Sequence, residues 1–237
     1  MLKLDINPNQ KHITNIENWL SSEWNNTNEG FYCNWEIILV AFKKNNLIVI
    51  TRDDYPIGFL SYRIHNSILI IDKLEIKPLE RRKGYAKELL KQTFEHFITE
   101  RVLVTKLYCS PPSSESFWEK IGFNNLPKLQ EHADIIYMYK PLVKTLQPEG
   151  KANINSTISL WNCEPYQIND TLPTWVWNLI FLEDKKTLIR PIIFPASANW
   201  QLELVLNGKK IITNQVKKLS KHLLFDENFI ILTKIIT

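Results

Sequence analysis

The sequence predicts an α/β protein in which helices flank a mixed β-sheet, followed by a smaller antiparallel β module. Up to Pro141, segments with helical spacing of apolar residues alternate with strand-like segments, and this order is typical of an α/β domain with a mixed sheet. Short strand-like runs dominate the remainder, which favours an antiparallel module. We therefore expect a first domain at residues 1–141, a proline- and glycine-containing linker at 142–153, and a β-rich domain at 154–237.

The first half of the first domain is expected to contain two helices and three strands. Ile13, Ile16 and Leu20 recur at helical spacing, so they predict an amphipathic helix. The turn between the first two strands is expected at residues 53–56, and Pro78 ends the third strand. The predicted helices are KHITNIENWLSSEW and NWEIILVAFKKN, and the predicted strands lie in NLIVITRDDYPIGFLSYRI and SILIIDKLEIKP.

The second half of this domain is expected to alternate between helix and strand. A helix from about Gly84 to Thr99 has one apolar face that includes Leu89, Leu90 and Phe94. A strand (VLVTKLYCS), a short helix (SSESFWEKIGF) that ends at its glycine, and a last strand (ADIIYMYKPL) follow.

In the C-terminal region, strand-like runs and one turn signal predict the β-rich domain. The turn signal is Asn207-Gly208, which strongly indicates a hairpin between two strands. We expect the tryptophans of this region to pack in the core or between domains rather than to stack on a ligand. The strand-like runs are STISLW, TWVWNLIFL, TLIRPIIFP, WQLELVL and FIILTKII, and the tryptophans are Trp161, Trp175, Trp177 and Trp200.

Composition and charge exclude several classes of protein. A formal net charge of +4 in 237 residues lacks the strongly basic balance of a dedicated nucleic-acid binder. Acidic Asp226 and Glu227 follow the one basic cluster, so no nucleic-acid partner is expected; that cluster is Lys209, Lys210, Lys217, Lys218 and Lys221.

The expected environment is reducing and cytoplasmic. The N-terminus lacks the apolar core of a signal peptide, and no apolar run approaches the roughly 18 residues that span a bilayer. The three cysteines are far apart, with no spacing that indicates a disulfide framework or a zinc site, and no metal is expected.

The stretch KPLERRKGYAKELL places three cations and a glycine at the start of a helix. The first amides of a helix lack internal acceptors and carry partial positive charge, so such an end binds phosphate well. Gly84 lets a ligand approach the main chain without meeting a Cβ atom, and Ala86 is also small. These properties together favour a site for a diphosphate group.

The register of this stretch resembles a known signature. Ile76-x-Pro78-x-x-Arg81-Arg82-Lys83-Gly84-Tyr85-Ala86 is similar to the acetyl-CoA motif of the GNAT superfamily of N-acetyltransferases. The segment from Phe117 to Phe123 (FWEKIGF) resembles the late helix of that family, and Gly58 matches a glycine often found before its central hairpin. The resemblance covers about residues 1–141, and we see no resemblance to it in the β-rich remainder.

The resemblance implies how acetyl-CoA would be bound. The cofactor-binding residues would be Arg81 and the amides of Arg82, Lys83, Gly84, Tyr85 and Ala86, which would hold the pyrophosphate. The pantetheine arm would lie between parted parallel strands at 73–77 and 104–109, pairing with main-chain groups of Leu74 and Ile76 like an added strand. The amide near Leu74 would also polarise the thioester carbonyl.

The resemblance further implies direct acetyl transfer from the thioester to an amine, and here the sequence departs from the family. Trp118 stands where the family often has a tyrosine acid, so the proton donor to the thiolate is expected to be Tyr108 or water. Ser110 and Ser113 replace the usual asparagine; they would contact the pantetheine, although capping of the next helix is the stronger expectation.

Two carboxylates are candidates for the general base. Asp72 interrupts an apolar strand, and Glu75 follows three residues later. The alternative interpretation of either acid is an ion pair with Lys73 or Arg63. Cys109 is expected to be a small buried residue rather than a nucleophile.

The leading hypothesis is therefore a GNAT-type N-acetyltransferase with acetyl-CoA as co-substrate. The alternative is a catalytically silent acyl-CoA-binding module whose β domain recruits a partner. The sequence does not identify the amine acceptor, although small amines and polyamines are favoured weakly over protein lysines. The β domain could cover the acceptor cleft, build a homodimer interface or bind a separate molecule.

Overall fold

The computed structural model describes residues 1–127, 135–149, 155–168, 171–219 and 223–235. Of the segments predicted above, residues 133–134, 150–154, Lys221 and Ile236 lie outside these ranges. The chain divides into two compact units. The first comprises residues 1–124 and 135–142, and the second comprises the other described residues. The predicted positions of the domain limits and of the linker stay predictions.

The first unit is a mixed sheet flanked by helices, which confirms the predicted fold class. Its sheet has the strand order β1-β2-β3-β4-β5-β7-β6, and of the registered pairs only β4 and β5 run parallel. The elements are β1 (Leu2–Asp5), α1 (Gln10–Thr27), α2 (Trp35–Lys43), β2 (Leu47–Arg52), β3 (Tyr55–His65), β4 (Ile68–Ile76), α3 (Tyr85–Thr99), β5 (Val104–Tyr108), α4 (Glu115–Ile121), β6 (Asn124–Asn125) and β7 (Tyr137–Pro141).

Alternation along the strands builds a core on each face of this sheet. In β2, Ile48 and Ile50 pack with the apolar face of α3 and with α4, whereas Leu47 and Val49 pack with α1 and α2. The helices therefore cover both faces, and β2 is buried along nearly its whole length.

The turn after β2 is shorter than predicted. Asp53 and Asp54 alone form it, at φ values of 50° and 64°, and Arg52 pairs directly with Tyr55. Tyr55 and Pro56 therefore belong to β3, which corrects the expectation of a turn over residues 53–56. Asp tolerates the left-handed conformation better than most residues, and this makes the two-residue turn feasible.

The second unit consists of two antiparallel sheets around one core, as the sequence predicted in outline. Strands β12-β11-β8-β9 form one sheet and β10-β14-β13 the other, and residues of both contribute to the same buried cluster. The strands are β8 (Thr157–Trp161), β9 (Trp175–Asn178), β10 (Thr187–Pro195), β11 (Gln201–Leu206), β12 (Lys209–Gln215), β13 (Leu224–Asp226) and β14 (Phe229–Lys234).

The hairpin prediction for this unit is confirmed, and the core prediction is confirmed for three of the four tryptophans, since Trp161 lies outside the buried cluster. Asn207 and Gly208 both have positive φ and close the β11–β12 hairpin. Trp177 is almost completely buried in the core, and Trp175 stacks on Trp200 with ring centroids 5.5 Å apart. Within the basic cluster, Lys210 forms an ion pair with Glu203.

Gly58 allows β3 and β4 to approach closely opposite Ile76. A Cβ atom at this position would lie 2.9 Å from the main-chain oxygen of Glu75 and would also meet the side chain of Ile76. We therefore expect Gly58→Ala to lower the free energy of unfolding by about 1–3 kcal/mol, measured by urea denaturation. The control is Ser61→Ala on the same strand, because the buried Ser61 hydroxyl lacks a hydrogen-bond partner and its removal should change little. Equal stability of the two variants would contradict this account of Gly58.

Candidate functional site

The loop between β4 and α3 presents a row of free main-chain N–H groups. Pro78–Glu80 forms a short 3-10 turn, in which the amide of Arg81 donates to the carbonyl of Pro78. Beyond that turn, none of the amides of residues 82–86 finds an acceptor in the described part of the chain. Because α3 begins at Tyr85, these amides include the unpartnered N-terminal donors of a helix.

Gly84 keeps the space in front of these amides open. Its φ is 84°, a conformation that L-residues adopt rarely, and a Cβ atom there would meet nothing within 4 Å. Arg82 also has positive φ, at 61°. The glycine is therefore needed for the backbone turn, and it leaves room for a ligand against the main chain.

Basic side chains surround the same loop. The carboxylate of Glu80 accepts hydrogen bonds from Lys83 (2.9 Å) and from both terminal nitrogens of Arg52 (2.6 and 3.0 Å), and these contacts, with Lys83 first, lower its pKa. Arg52 also donates to the hydroxyl of Tyr85. One carboxylate thus faces two cations, and Arg82 adds a third beside the helix N-terminus. The potential at the loop is therefore positive and suits a phosphate group.

Beside this loop, β4 and β5 separate. They pair in parallel only from Ile68 opposite Val104 to Ile70 opposite Lys106. A bulge follows in β4, where Tyr62 pairs with Ile71 and Ser61 with Lys73, so Asp72 has no partner residue on β3. The separated strands line a cleft of about 190 Å³. Its lining includes Phe31, Asp72, Lys73, Leu74, Glu75, Leu107, Tyr108, Ser110, Ser114, Phe117 and Trp118.

A partly buried ion cluster adjoins the cleft at Glu75. Arg81 Nη2 contacts Glu23 Oε1 at 2.6 Å and Glu75 Oε1 at 3.1 Å. The predicted partners of Glu75 were Lys73 or Arg63, and the structure pairs it with Arg81 instead because that side chain folds back toward β4. Burial raises the pKa of Glu75, and the neighbouring Arg81 opposes this effect.

The main-chain groups of Ile76 are engaged by this cluster. The amide of Ile76 donates to Glu75 Oε1 at 2.9 Å, and its carbonyl accepts from Arg81 Nε at 3.0 Å. Leu74, two residues earlier on the same strand, points its main-chain groups to the same edge, where β5 has moved away. Of the two residues expected to pair with a pantetheine arm, Leu74 is therefore the better placed.

Asp72 forms an ion pair with Arg63, as its alternative interpretation predicted. It accepts three hydrogen bonds from Arg63, the shortest at 2.8 Å. This bidentate pairing joins the bulge of β4 to strand β3 and occupies the carboxylate. Arg63 uses both oxygens of Asp72, whereas the contacts of Glu75 with Arg81 and with the Ile76 amide use Oε1 only, so Glu75 is the better placed of the two candidate bases.

Tyr108 lies exposed at the end of β5, beside an ammonium group. Its hydroxyl is 3.5 Å from Lys73 Nζ. The same ammonium lies 5.8 Å from the centroid of the Tyr108 ring and 5.5 Å from that of Phe31. The predicted proton donor thus lies in the cleft, next to a cation that the sequence did not single out.

Trp118, Cys109 and Ser110 are further residues that the sequence analysis singled out. Trp118 is buried against the rings of Phe117 and Phe123, so its indole is part of the core. Cys109 is buried as expected, and burial raises the pKa of its thiol. Ser110 lines the cleft.

The expectation that Ser113 caps the late helix is wrong. Ser113 lies within a 3-10 turn (Pro112–Ser114), and the residue at the cap position of α4 is Ser114. The hydroxyl of Ser114 donates back to the carbonyl of Pro111 at 2.8 Å instead of accepting from the helix. The 3-10 turn continues directly into α4, so the helix begins without a side-chain cap.

Sequence reasoning missed Glu23, Phe31, Lys73 and Glu80. For Glu23 a signal was present: it occupies the apolar stripe of α1 with Ile13, Ile16 and Leu20, and a charge in that position requires a partner. Glu80 lies in the loop itself, but its partner Arg52 comes from a distant strand. Folding also brings Phe31 against Lys73. Among the described residues there is no cluster of three or more histidine, cysteine or acidic side chains arranged for a metal ion. None of the helices in the described ranges has the length and apolar character needed to cross a membrane.

Comparison with known proteins finds one family model that matches part of the chain. Residues 13–123 match the model of the acetyltransferase (GNAT) family. The comparison with curated proteins finds no match.

Several solved structures are similar to the first part of the chain. The PaiA N-acetyltransferase of Thermoplasma acidophilum in complex with coenzyme A is 16% identical, with a TM-score of 0.48, over 60% of this chain and 99% of that one. The ribosomal-protein-S18-alanine N-acetyltransferase of Escherichia coli is 13% identical, with a TM-score of 0.44, over 61% and 96%. An aminoglycoside 6'-N-acetyltransferase complexed with coenzyme A is 12% identical, with a TM-score of 0.47, over 61% and 98%.

Removal of Arg81 tests the partly buried ion cluster. Arg81→Met would leave Glu23 and Glu75 without their shared cation, and we expect the free energy of unfolding at pH 7 to fall by about 2 kcal/mol. The pKa of Glu75 would rise further, so the folded variant binds protons more readily than the unfolded chain. Its stability deficit should therefore shrink as the pH falls toward 5.

The matched control for this prediction is Arg63→Met. Its partner Asp72 lies on the same strand as Glu75, but Arg63 itself is largely exposed, so the loss should stay below about 1 kcal/mol. Urea denaturation at both pH values measures the two variants. A deficit of Arg81→Met that does not change with pH would contradict the described role.

Proposed function

We propose that the protein, whose residues 13–123 match the model of the acetyltransferase (GNAT) family, transfers an acetyl group from acetyl-CoA directly to an amine. The observation that carries this proposal is the open row of amides at residues 82–86, immediately beside two separated parallel strands. A diphosphate next to an extended thiol arm requires this combination of anion site and cleft.

The loop fits the diphosphate of acetyl-CoA in geometry and in charge. Unpartnered amides would donate to the phosphate oxygens, while Gly84 lets them approach the main chain. Arg82 and Lys83 supply positive charge at the same place. The Arg81 guanidinium is directed at Glu23, Glu75 and Ile76, so its part is to hold this edge of β4 in position.

The cleft between β4 and β5 would take the pantetheine arm. The main-chain groups of Leu74 would pair with it in the manner of a strand, and its amide would polarise the thioester carbonyl. Ser110 and Phe117 line the opposite side. The occupied main chain of Ile76 would limit the pairing to the section of β4 nearer the bulge.

In the proposed reaction, the nitrogen of a neutral amine attacks the thioester carbonyl carbon. The C–N bond forms, the C–S bond breaks, and the sulfur leaves with the bonding electron pair. Glu75 would take one proton from the amine, and Tyr108 would give one to the sulfur. Proximity of the two reactants supplies much of the rate, since the protein forms no covalent bond.

Substitution of Gly84 tests the diphosphate site. We expect Gly84→Val to weaken acetyl-CoA binding at least about 100-fold, because a side chain would stand before the amides and would disfavour the positive φ. The measurement is calorimetric titration with acetyl-CoA. Gly208→Val is the matched control, since Gly208 also has positive φ and open space around it but lies in the β11–β12 turn. Normal binding by Gly84→Val would refute the proposed site.

Substitution of the two cleft residues tests the chemistry. Release of free thiol from acetyl-CoA in the presence of amines should fall about 100-fold in both Glu75→Gln and Tyr108→Phe, with acetyl-CoA binding retained. Because burial raises the pKa of Glu75, kcat/KM of the unchanged protein should decline as the pH drops toward that pKa, and the decline should begin above the ordinary glutamate value of about 4.3. Glu75→Gln should lose this acidic limb. If the limb persists in that variant, another group is the base.

A further inference from the structure

Lys73 is a cation in the cleft that has no anionic partner. Its ammonium lies near the rings of Phe31 and Tyr108, and within the described residues its only polar contact is the long one with the Tyr108 hydroxyl. No carboxylate of the described chain lies within ion-pair distance of it. Lys73 as a whole residue is partly buried.

The acidic groups around Lys73 are committed to other cations. Asp72, the preceding residue, is held by Arg63, and Glu75 shares Arg81 with Glu23. The ammonium therefore remains available for an anionic group that enters the cleft.

Glu75 stands at a suitable distance from Lys73 on the same face of β4. Both residues follow the bulge and pair in regular register, Lys73 with Ser61 and Glu75 with Phe59. Residues two apart on a strand point to one face and lie about 7 Å apart. The cleft thus offers a cation and a proton-accepting carboxylate at a separation that a small zwitterion can bridge.

We infer, on the basis of the proposed acetyl transfer, that the acceptor is an amine that also carries a carboxylate, as a free amino acid does, and that Lys73 binds that carboxylate. The acceptor nitrogen then faces Glu75, which removes its proton. The same arrangement disfavours polyamines, because a second ammonium would be brought toward Lys73 in a partly desolvated cleft. The weak preference of the sequence analysis for small amines and polyamines over protein lysines is thereby narrowed to small amines that carry a carboxylate.

The test is thiol release from acetyl-CoA with three sets of acceptors: the twenty standard amino acids, their carboxamides, and polyamines such as spermidine. The protein should prefer an amino acid to its own carboxamide by about 10- to 100-fold in kcat/KM, the value of one charge-assisted contact. In Lys73→Gln this preference should disappear, because KM for the amino acid should rise to that of its carboxamide. Lys73→Arg should recover part of the preference.

Lys43→Gln, at the exposed end of α2, is the matched control and should retain the full preference. Turnover confined to carboxamides or polyamines, turnover with none of the three sets, or a preference that survives Lys73→Gln would each overturn the inference. Failure to bind acetyl-CoA in calorimetry would instead refute the proposed function, and the inference would fall with it. The two failures are therefore distinguishable.

Discussion

The separation of β4 from β5 is the constraint on which the candidate site depends. A parallel pair that continued to Ile76 would use the main chain of β4 for the sheet and would leave no cleft. The bulge at Asp72 and its bidentate contact with Arg63 draw this part of β4 toward β3. Gly58 then allows close approach at the far end of the same strand pair, so β4 is held on one side only.

Arginine and carboxylate clusters fix the two ends of this arrangement. Arg81 ties Ile76 to Glu75 on β4 and to Glu23 on α1, so the end of the strand cannot close back toward β5. At the loop, Arg52 and Lys83 hold Glu80 and orient the turn that exposes the amides of residues 82–86. The Arg81 cluster has two carboxylates and one cation, so its net charge is negative. The Glu80 cluster at the loop has two cations and one carboxylate, so its net charge is positive.

Periodicity predicted most of the helices and strands, because a burial pattern is local in the sequence. The helix at α1 followed from Ile13, Ile16 and Leu20, and the β11–β12 hairpin followed from Asn207-Gly208. β1 was missed because four residues carry little pattern, and its strand conformation comes from pairing with Leu47–Arg52. The candidate diphosphate loop at residues 82–86 was predicted because its glycine and cations are consecutive. The contacts of Lys73 and Glu23 could not be predicted, because their partners are distant in the chain.

The proposed cofactor site uses main-chain groups and the proposed acceptor site uses side chains, and this explains why the sequence predicted only the first. Amides supply the expected contacts to the cofactor, so the sequence has to specify only a turn, one glycine and a helix start, all of which are local. In the proposed reaction, recognition of an acceptor would depend on side chains from β4, β5 and the segment before α2, which meet only after folding. Lys73 illustrates the consequence: between Asp72 and Glu75 in the sequence it reads as a member of an ordinary charge pair. In the folded protein both neighbours are bound to arginines, and the ammonium is left to meet an anion from outside.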